Sequence, residues 1–136
     1  MNGFTCRDFD FVKDKEAFTE FLRKRGDMSE VDFSFFPPTG CMVEYYGIPT
    51  CAGFMIICDN NTCINTDIIS DPEAPTFVRN HSVIALRKFL EEKAKAKNIP
   101  FIVAHASHPG LEAKLKEQGY QILNSNITHM GRKTWL

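Results

Sequence analysis

Stretches with different spacing of apolar residues follow one another along the chain, and their spacing predicts secondary structure. The opening segment, 4–11, is rich in aromatic and β-branched residues with partial alternation, which predicts a first strand. Between Lys15 and Arg25 apolar residues recur every three or four positions, and Gly26 follows. This predicts an amphipathic helix, with Asp14 as its N-cap. Ser29 to Phe36 is a candidate second short helix.

Three β-prone runs come next, separated by short clusters of turn-forming residues. The runs are Cys41 to Tyr46, Thr50 to Cys58 and Thr62 to Ser70. Their spacing predicts an antiparallel meander. Segment 71–75 contains two prolines, which have no backbone N–H to donate to a neighbouring strand, so we expect the sheet to end there.

A long helix and a buried strand are predicted after the meander. Ser82 to Lys97 carries one apolar stripe opposite a charged face, which is typical of an amphipathic helix. Pro100 to Ala104 is wholly apolar, as expected for a central strand buried on both faces. The order strand, helix, strand favours parallel pairing of the two strands through a right-handed crossover.

The C-terminal part predicts one more helix and the closing strands. Leu111 to Gln118 has helical character, Gly119 ends it, and Ser107 or His108 is the candidate N-cap. Tyr120 to Leu123 and Ile127 to Trp135 predict one or two closing strands. The pattern as a whole predicts an α/β (α+β) domain whose mixed, mostly antiparallel sheet has six to seven strands flanked by about four helices.

Length and charge narrow the class of protein. The 136 residues suffice for one core, so we expect a single domain over 1–136. A net charge of −1 offers no basic surface for nucleic acid. No run of about 20 apolar residues would span a bilayer, and no secretory signal is recognisable at the start. We therefore expect a cytoplasmic protein that binds neither nucleic acid nor a membrane.

The cysteines do not indicate a metal site or a disulfide framework. They number five, with no CxxC pair among them: Cys6, Cys41, Cys51, Cys58 and Cys63. We interpret them as buried small hydrophobic residues in a reducing compartment.

The predicted order of elements resembles the GNAT superfamily of acyl-CoA-dependent N-acyltransferases over nearly the whole chain. The Gly47 turn followed by Gly53-Phe54 resembles the hairpin between the second and third strands of that family. Segment 111–120 resembles its last helix, which ends in glycine and an aromatic residue, and Asp71-Pro72 stands where members often have a proline. The part from Ser70 onward also resembles small GNAT-like proteins of bacteriophages and their hosts.

The resemblance implies acetyl-CoA or another acyl-CoA as cosubstrate. In the family its pyrophosphate lies on the N-terminus of the long helix, at a Gln/Arg-x-x-Gly-x-Gly/Ala loop, where free amides and the helix dipole favour an anion. The corresponding stretch here, 77–84, has larger residues at both small positions. The groups it offers to phosphate oxygens belong to Arg79, Asn80, His81 and Ser82. In the alternative interpretation Asn80 only caps the helix and Arg79 is a solvated charge.

The resemblance also implies where acyl transfer takes place. In the family a gap between the fourth and fifth strands exposes a fourth-strand N–H that polarises the thioester carbonyl. Here that amide is near Ile68 or Ile69. Asp67 is the best-placed base and Glu44 the second choice, although Asp67 can equally be a polar residue on the solvent-facing side of a half-buried sheet.

The last helix departs from the family pattern at its acid. Many members have a tyrosine four residues before the helix-ending glycine, and this position is Leu115. His108 stands where the family often has an asparagine that touches the cofactor's arm; it titrates near neutrality, so it is a candidate for binding or acid catalysis, or a helix cap.

Two functions remain open from the sequence, with a third class that only the residue inventory supports. The first is an N-acyltransferase acting on a small amine or a protein amino group. The second is a non-catalytic GNAT-like binding or assembly module. A cysteine hydrolase lacks a helix N-terminus near the meander thiols. The aromatic residues Phe33, Phe35, Phe36 and Trp135 can belong to the core or to a homodimer surface.

Overall fold

The computed structural model describes residues 3–104 and 109–123 of the chain. The chain divides into two compact units, residues 1–105 and 106–136. The described part of the first unit holds five strands and two α-helices, and that of the second holds one α-helix. The expectation of a single domain over 1–136 stays a prediction.

The first unit is built on one five-stranded sheet in the order β1-β2-β3-β4-β5. Its strands are β1 (Phe4–Asp8), β2 (Thr39–Tyr45), β3 (Ile48–Ile57), β4 (Thr62–Ser70) and β5 (Phe101–Ala104). Antiparallel pairing joins the first four strands, and β5 pairs parallel to β4. The predicted meander and the predicted parallel pairing are confirmed.

The β2–β3 hairpin closes through a two-residue turn. Tyr46 and Gly47 have φ values of 48° and 81°. Positive φ at both central residues is the geometry of a tight hairpin whose twist matches that of the strands. The glycine therefore has a conformational reason to be in this turn.

One face of the sheet is covered by the long helix α2 (Thr76–Ala96). Its buried stripe of Val83, Leu86, Leu90 and Ala94 packs on strand side chains that include Cys41, Val43, Cys51, Met55 and Cys63. We call this the α2 face. Three of the five cysteines are buried here, as the sequence predicts, whereas Cys6 and Cys58 are only partly buried.

The opposite face carries helix α1 (Lys15–Lys24) and a cluster of aromatic rings. We call it the aromatic cluster; its members are Phe9, Phe11, Phe18, Phe33, Phe36 and Phe54. The ring of Phe54 contacts four of the others within the range of favourable ring pairs. It also lies against Gly40 of β2, where an added Cβ would be 2.5 Å from Phe54 Cδ1.

Helix α1 is confirmed, with Asp14 at its N-cap position as predicted, but the Asp14 side chain does not cap it. Asp14 occupies the N-cap position without a side-chain bond to the helix. Its carboxylate instead accepts hydrogen bonds from both terminal nitrogens of Arg7, each at 2.7 Å, and from the Asp10 amide at 2.8 Å. The Asp14 carboxylate therefore forms an ion pair with Arg7 and does not accept the hydrogen bond from the helix amides that the local sequence predicted.

The numbers of strands and helices in the fold prediction were too high for the part of the chain that the structure describes. It has five strands and three α-helices there, rather than six to seven strands and four helices. The predicted second short helix is a single 3₁₀ turn, Phe33–Phe35. Asp32 accepts hydrogen bonds from the amide and hydroxyl of Ser34, which favours a turn over a continuing helix.

Helix α2 begins at Thr76, six residues before the predicted start at Ser82. The preceding Pro75 has extended backbone angles and is its N-cap. Segment 71–75 is a tight turn, with the Ala74 amide donating to the Asp71 carbonyl at 3.3 Å. The helix starts as soon as this turn ends, and Val78 already faces the core.

Strand β5 is less buried than predicted. Phe101 is 48% exposed, and residues 102–104 are only half-buried. Among the described strands, β5 has one neighbour, β4, and not the two of a central strand.

The described part of the second unit is helix α3 (Pro109–Glu117), close to the predicted Leu111 to Gln118. Gly119 has φ of 88°, and the Tyr120 amide donates to the Leu115 carbonyl at 3.0 Å. This glycine-based cap uses the residue that was predicted to open a closing strand, and 120–123 form no strand. The candidate N-caps Ser107 and His108, and the strand predicted at 127–135, lie outside the described residues.

None of the helices described in the two units is both long and apolar enough to cross a membrane.

Candidate active site

Strand β4 is interrupted by a β-bulge at Asp67. Ala52 pairs with Ile69 and Phe54 with Thr66, so two residues of β4 lie opposite Gly53 alone. Asp67 has φ of 52°, in the left-handed region that aspartate tolerates better than most residues. The strand is therefore bent at the residue predicted as the catalytic base.

The bulge fixes which amides of β4 point away from β3. The Asp71 amide donates to the Thr50 carbonyl at 2.8 Å, so it points towards β3. Because amide directions alternate along a strand, the N–H groups of Ile68 and Ser70 point to the opposite edge. Of the two predicted amides, Ile68 rather than Ile69 faces this edge.

In the part of the chain that the structure describes, β5 does not pair with the edge that Ile68 faces. The pairing of β4 with β5 runs from Thr62 with Phe101 to Asn65 with Ala104. Beyond Asn65, residues 66–70 of β4 have no strand partner on that side among the described residues. Among the described residues, the ladder between β4 and β5 therefore ends before the bulge. We call the side of β4 that faces away from β3 over residues 66–70 the β4 edge. The gap between the fourth and fifth strands that the resemblance implies stays a prediction.

Packing on both faces holds the bulge. Ile68 lies on the α2 face, and Ile69 packs on the aromatic cluster. A Cβ at Gly53 would be 3.0 Å from Ile68 Cγ1 and 3.0 Å from a Leu86 methyl. The absence of a side chain at Gly53 thus lets α2 and the bulge approach one another closely.

Asp67 is exposed at this site. A hydrogen bond from the Thr66 hydroxyl at 3.4 Å reaches its carboxylate. The carboxylate is therefore accessible to a solute arriving at the β4 edge, which a general base requires.

Glu44 is not brought to the bulge. It lies two strands away, about 9–10 Å across the sheet, and its partner Pro49 is four positions along β3 from Gly53, about 13 Å. Its carboxylate accepts a hydrogen bond from Arg7 Nε at 3.0 Å. The structure thus makes Glu44 part of an ion-pair network and gives no support to its choice as a second base.

Arg7 is the centre of that network, and sequence reasoning missed it. Its guanidinium joins Asp14 at the start of α1 to Glu44 of β2. Hydrogen bonding to Asp14 raises the pKa of Arg7 further above its usual range, so the charge is permanent. The one signal in the sequence was the alternation of side chains along β1, because it places Arg7 on the sheet face that carries α1.

The start of α2 is the candidate anion site, and it lies one turn earlier than predicted. The Arg79 amide donates to the Pro75 carbonyl at 3.0 Å, the first bond of the helix. The amides of Thr76, Phe77 and Val78 precede that bond and have no partner within the helix. They are at the end of the sheet where β4 finishes.

Arg79 is the predicted cofactor residue that lies in this first turn. Its Nη2 donates to the Thr76 hydroxyl at 3.2 Å. Its Nε is buried and has no hydrogen-bond partner in the described structure. The Arg79 guanidinium, which lies beside the first-turn amides of α2, therefore has a charged N–H group without an acceptor.

The other three predicted cofactor residues of this helix lie in its second turn. His81 packs its ring 5.8 Å from that of Phe4 in β1, across the sheet from the β4 edge. Ser82 is fully buried, and its hydroxyl lies 2.7 Å from that of Thr50. The prediction that Ser82 presents its hydroxyl to a phosphate is wrong, because the helix starts early enough to turn this side chain onto the sheet. Asn80 is half-buried beside Arg79.

The remaining predicted residue, His108, lies outside the described residues. Leu115, at the family's tyrosine position, is a buried apolar residue in α3.

The buried thiols are poor nucleophiles. Burial raises the pKa of Cys51 to about 12, and it also raises that of Cys63. A protonated thiol is neither a nucleophile nor a metal ligand.

Comparison with solved structures identifies the fold. The chain superposes on yncA of Salmonella typhimurium, described as an acetyltransferase and solved with its cofactor acetyl-CoA, with a TM-score of 0.68 and 16% identity over 96% of this chain and 88% of the other. An aminoglycoside acetyltransferase from an uncultured soil metagenomic sample gives a TM-score of 0.61 and 10% identity over 96% and 97%. The ribosomal-protein-S18-alanine N-acetyltransferase of Escherichia coli gives 0.61 and 13% over 85% and 76%.

No protein-family model matches the sequence, and no curated protein matches it significantly. The structural matches nevertheless show that the chain has the GNAT-like fold that the sequence resemblance predicted.

Proposed function

We propose that the protein is an N-acyltransferase that moves an acyl group from acyl-CoA to an amine. The observation that carries the proposal is the bulge in β4, which directs the Ile68 amide to an edge that no described strand pairs with, beside the exposed Asp67. A donor aimed at an open edge can stabilise the charge that develops on a thioester oxygen. A fold of this kind alone would not carry the proposal, since one fold serves many functions.

The start of α2 fits the anionic part of an acyl-CoA. Three first-turn amides and the unpartnered Nε of Arg79 provide donors at one place, and the helix dipole adds to their attraction for a phosphate. Acyl-CoA, when bound, supplies the activated thioester. The arm of the molecule would then follow the β4 edge from the end of the strand towards Ile68.

The residues of the bulge have separate tasks in this proposal. The Ile68 amide donates to the thioester carbonyl and positions it. Asp67 takes a proton from the incoming ammonium, so that a neutral amine attacks. The amine nitrogen bonds to the thioester carbon, the carbon–sulfur bond breaks, and a proton lost by the nitrogen neutralises the leaving CoA thiolate. Most of the rate gain is expected from orientation and from the amide contact.

The acceptor is proposed to be a small amine or a protein amino group. The similar structures include enzymes named for an aminoglycoside and for the alanine of a ribosomal protein, both amine acceptors. We further expect a cytoplasmic enzyme. A homodimer is in keeping with Phe35, which is 86% exposed whereas Phe33 and Phe36 pack in the aromatic cluster.

One observation favours the alternative of a non-catalytic binding module. The first turn of α2, Thr76 to Arg79, contains no glycine, so side chains surround the amides that would meet a phosphate. Such a module would keep the fold without binding CoA.

A calorimetric titration with acetyl-CoA and with free CoA distinguishes the two functions. We expect saturable binding of both, with an affinity at least about 10-fold lower in Arg79→Ala, because a charge-assisted contact is lost. Arg23→Ala is the matched control, since Arg23 is an exposed arginine paired with Glu20 on α1. Absence of binding at millimolar CoA would refute the acyltransferase and favour the binding-module alternative.

A further inference from the structure

The amide of Asn65 is an anomaly in the core of the first unit. The residue is 2% exposed, yet neither Oδ1 nor Nδ2 has a hydrogen-bond partner in the described structure. A buried donor and acceptor that form no hydrogen bond destabilise a fold, whereas an apolar residue of similar size would not. Residues that lower stability in this way are often retained for function.

Asn65 lies where the β4 edge begins. It is the last residue of β4 that pairs with β5, opposite Ala104, and two positions before Asp67. Its other partner, Met55, belongs to the α2-face core, so Asn65 is on the α2 face. Ala104 is half-exposed, and its side chain is only a methyl group, which cannot hydrogen-bond to the amide.

We propose that Asn65 selects the acyl group, and that the preferred acyl group carries a hydroxyl. The inference rests on the proposed function. If the arm of acyl-CoA follows the β4 edge from the start of α2 to Ile68, the acyl chain continues beyond Ile68 towards Asn65. The two residues are about 7 Å apart along the strand, allowing for the bulge.

A hydroxyl group suits both unpartnered atoms of Asn65. It donates to Oδ1 or accepts from Nδ2, whereas a carboxylate offers acceptors only and would repel Oδ1. A hydroxyl on the third carbon, the length of an asparagine side chain and a hydrogen bond of about 2.9 Å together span the separation. A plain acetyl group would leave the amide of Asn65 without a partner.

The test compares butyryl-CoA with 3-hydroxybutyryl-CoA, which differ by one hydroxyl. In the natural protein we expect at least about 10-fold tighter binding or higher kcat/KM for the hydroxy compound, because a site built to bind a hydroxyl rejects the analogue that lacks it. Asn65→Leu should abolish this preference, retain the affinity for free CoA and raise the melting temperature. Asn60→Leu, at an exposed asparagine of the β3–β4 turn, is the matched control.

Each contrary result has a distinct meaning. Equal affinity for the two thioesters in the natural protein overturns the role of Asn65 and leaves the proposed function intact. A preference that persists in Asn65→Leu overturns it as well. If that variant does not fold, Asn65→Ala, which also removes both polar atoms, provides the same comparison, and an unchanged preference there counts against the proposal. Failure to bind free CoA refutes the proposed function itself.

Discussion

The hydroxyl oxygens of Thr50 and Ser82 lie 2.7 Å apart in a buried contact that joins α2 to β3. The Thr50 hydroxyl also donates to the Val43 carbonyl at 3.1 Å. This contact fixes the second turn of α2 on the sheet and so determines where the first turn, with its free amides, comes to lie.

Replacement of Ser82 by alanine should lower stability without changing cofactor affinity. We expect the free energy of unfolding to fall by about 1 kcal/mol, the usual contribution of a hydrogen bond, as measured by urea denaturation. Titration with CoA should give the affinity of the natural protein. A clear loss of affinity with unchanged stability would instead restore Ser82 as a phosphate ligand.

Substitutions of Asp67 should separate its backbone role from its carboxylate. Asp67→Gly suits the positive φ, whereas Asp67→Ala should be less stable than the glycine variant by about 1 kcal/mol. Both variants lack the base, so both should show much lower kcat with similar CoA affinity. Thermal denaturation and steady-state kinetics measure the two effects. Full turnover in Asp67→Asn would exclude Asp67 as the base.

Gly53→Ala should disturb the bulge through packing. The added methyl group would lie 3.0 Å from Ile68 and from Leu86, which is overcrowded. Overpacking of this kind costs about 1–3 kcal/mol, and displacement of Ile68 should also weaken acyl-CoA binding. The double variant Gly53→Ala/Leu86→Ala makes room on one side and should recover part of the affinity. No recovery would mean that the two side chains are not coupled through this contact.

Arg7→Met should destabilise the first unit more than Glu44→Gln. Loss of Arg7 leaves the buried carboxylate of Asp14 without its cation, a change that costs about 3–5 kcal/mol for a buried pair. Glu44 is partly exposed and loses less. Urea denaturation of the two variants provides the comparison. Equal effects would show that Asp14 is sufficiently satisfied by the Asp10 amide.

Alkaline pH should destabilise the protein through Cys51. Its folded-state pKa of about 12 exceeds that of an unfolded thiol, about 8.5. Below the unfolded pKa both states are protonated; as the pH rises above it, only the unfolded chain ionises, so stability falls. Cys51→Ala should reduce this pH dependence, measured by urea denaturation between pH 7 and about 10. An unchanged slope would assign the effect to another group.

The sequence predicted the elements better than their exact ends. The meander and the body of α2 followed from residue type and periodicity, because their apolar residues face one core. The start of α2 was missed because Pro75 and the turn at Asp71 outweigh the apolar stripe on which the prediction relied. A closing strand was predicted from Tyr120 onward, but the Tyr120 amide caps α3 and residues 120–123 form no strand.

The candidate site could be predicted only in part. Asp67 and Ile68 were named because the resemblance placed them on the fourth strand. Asp67 adopts its positive φ in a bulge opposite Gly53 of the neighbouring strand, and local sequence does not reveal this pairing. The unsatisfied amide of Asn65 is likewise invisible until the surrounding residues are in place.

The close approach of Gly40 to Phe54 provides a spectroscopic reporter. Where a Cβ at Gly40 would meet the ring, the natural chain has a hydrogen that points at it. Ring currents should therefore displace the resonance of that proton from the position usual for glycine. Its chemical shift would change whenever the rings of the aromatic cluster rearrange. An NMR titration with a candidate acceptor would therefore report whether binding disturbs this face of the sheet.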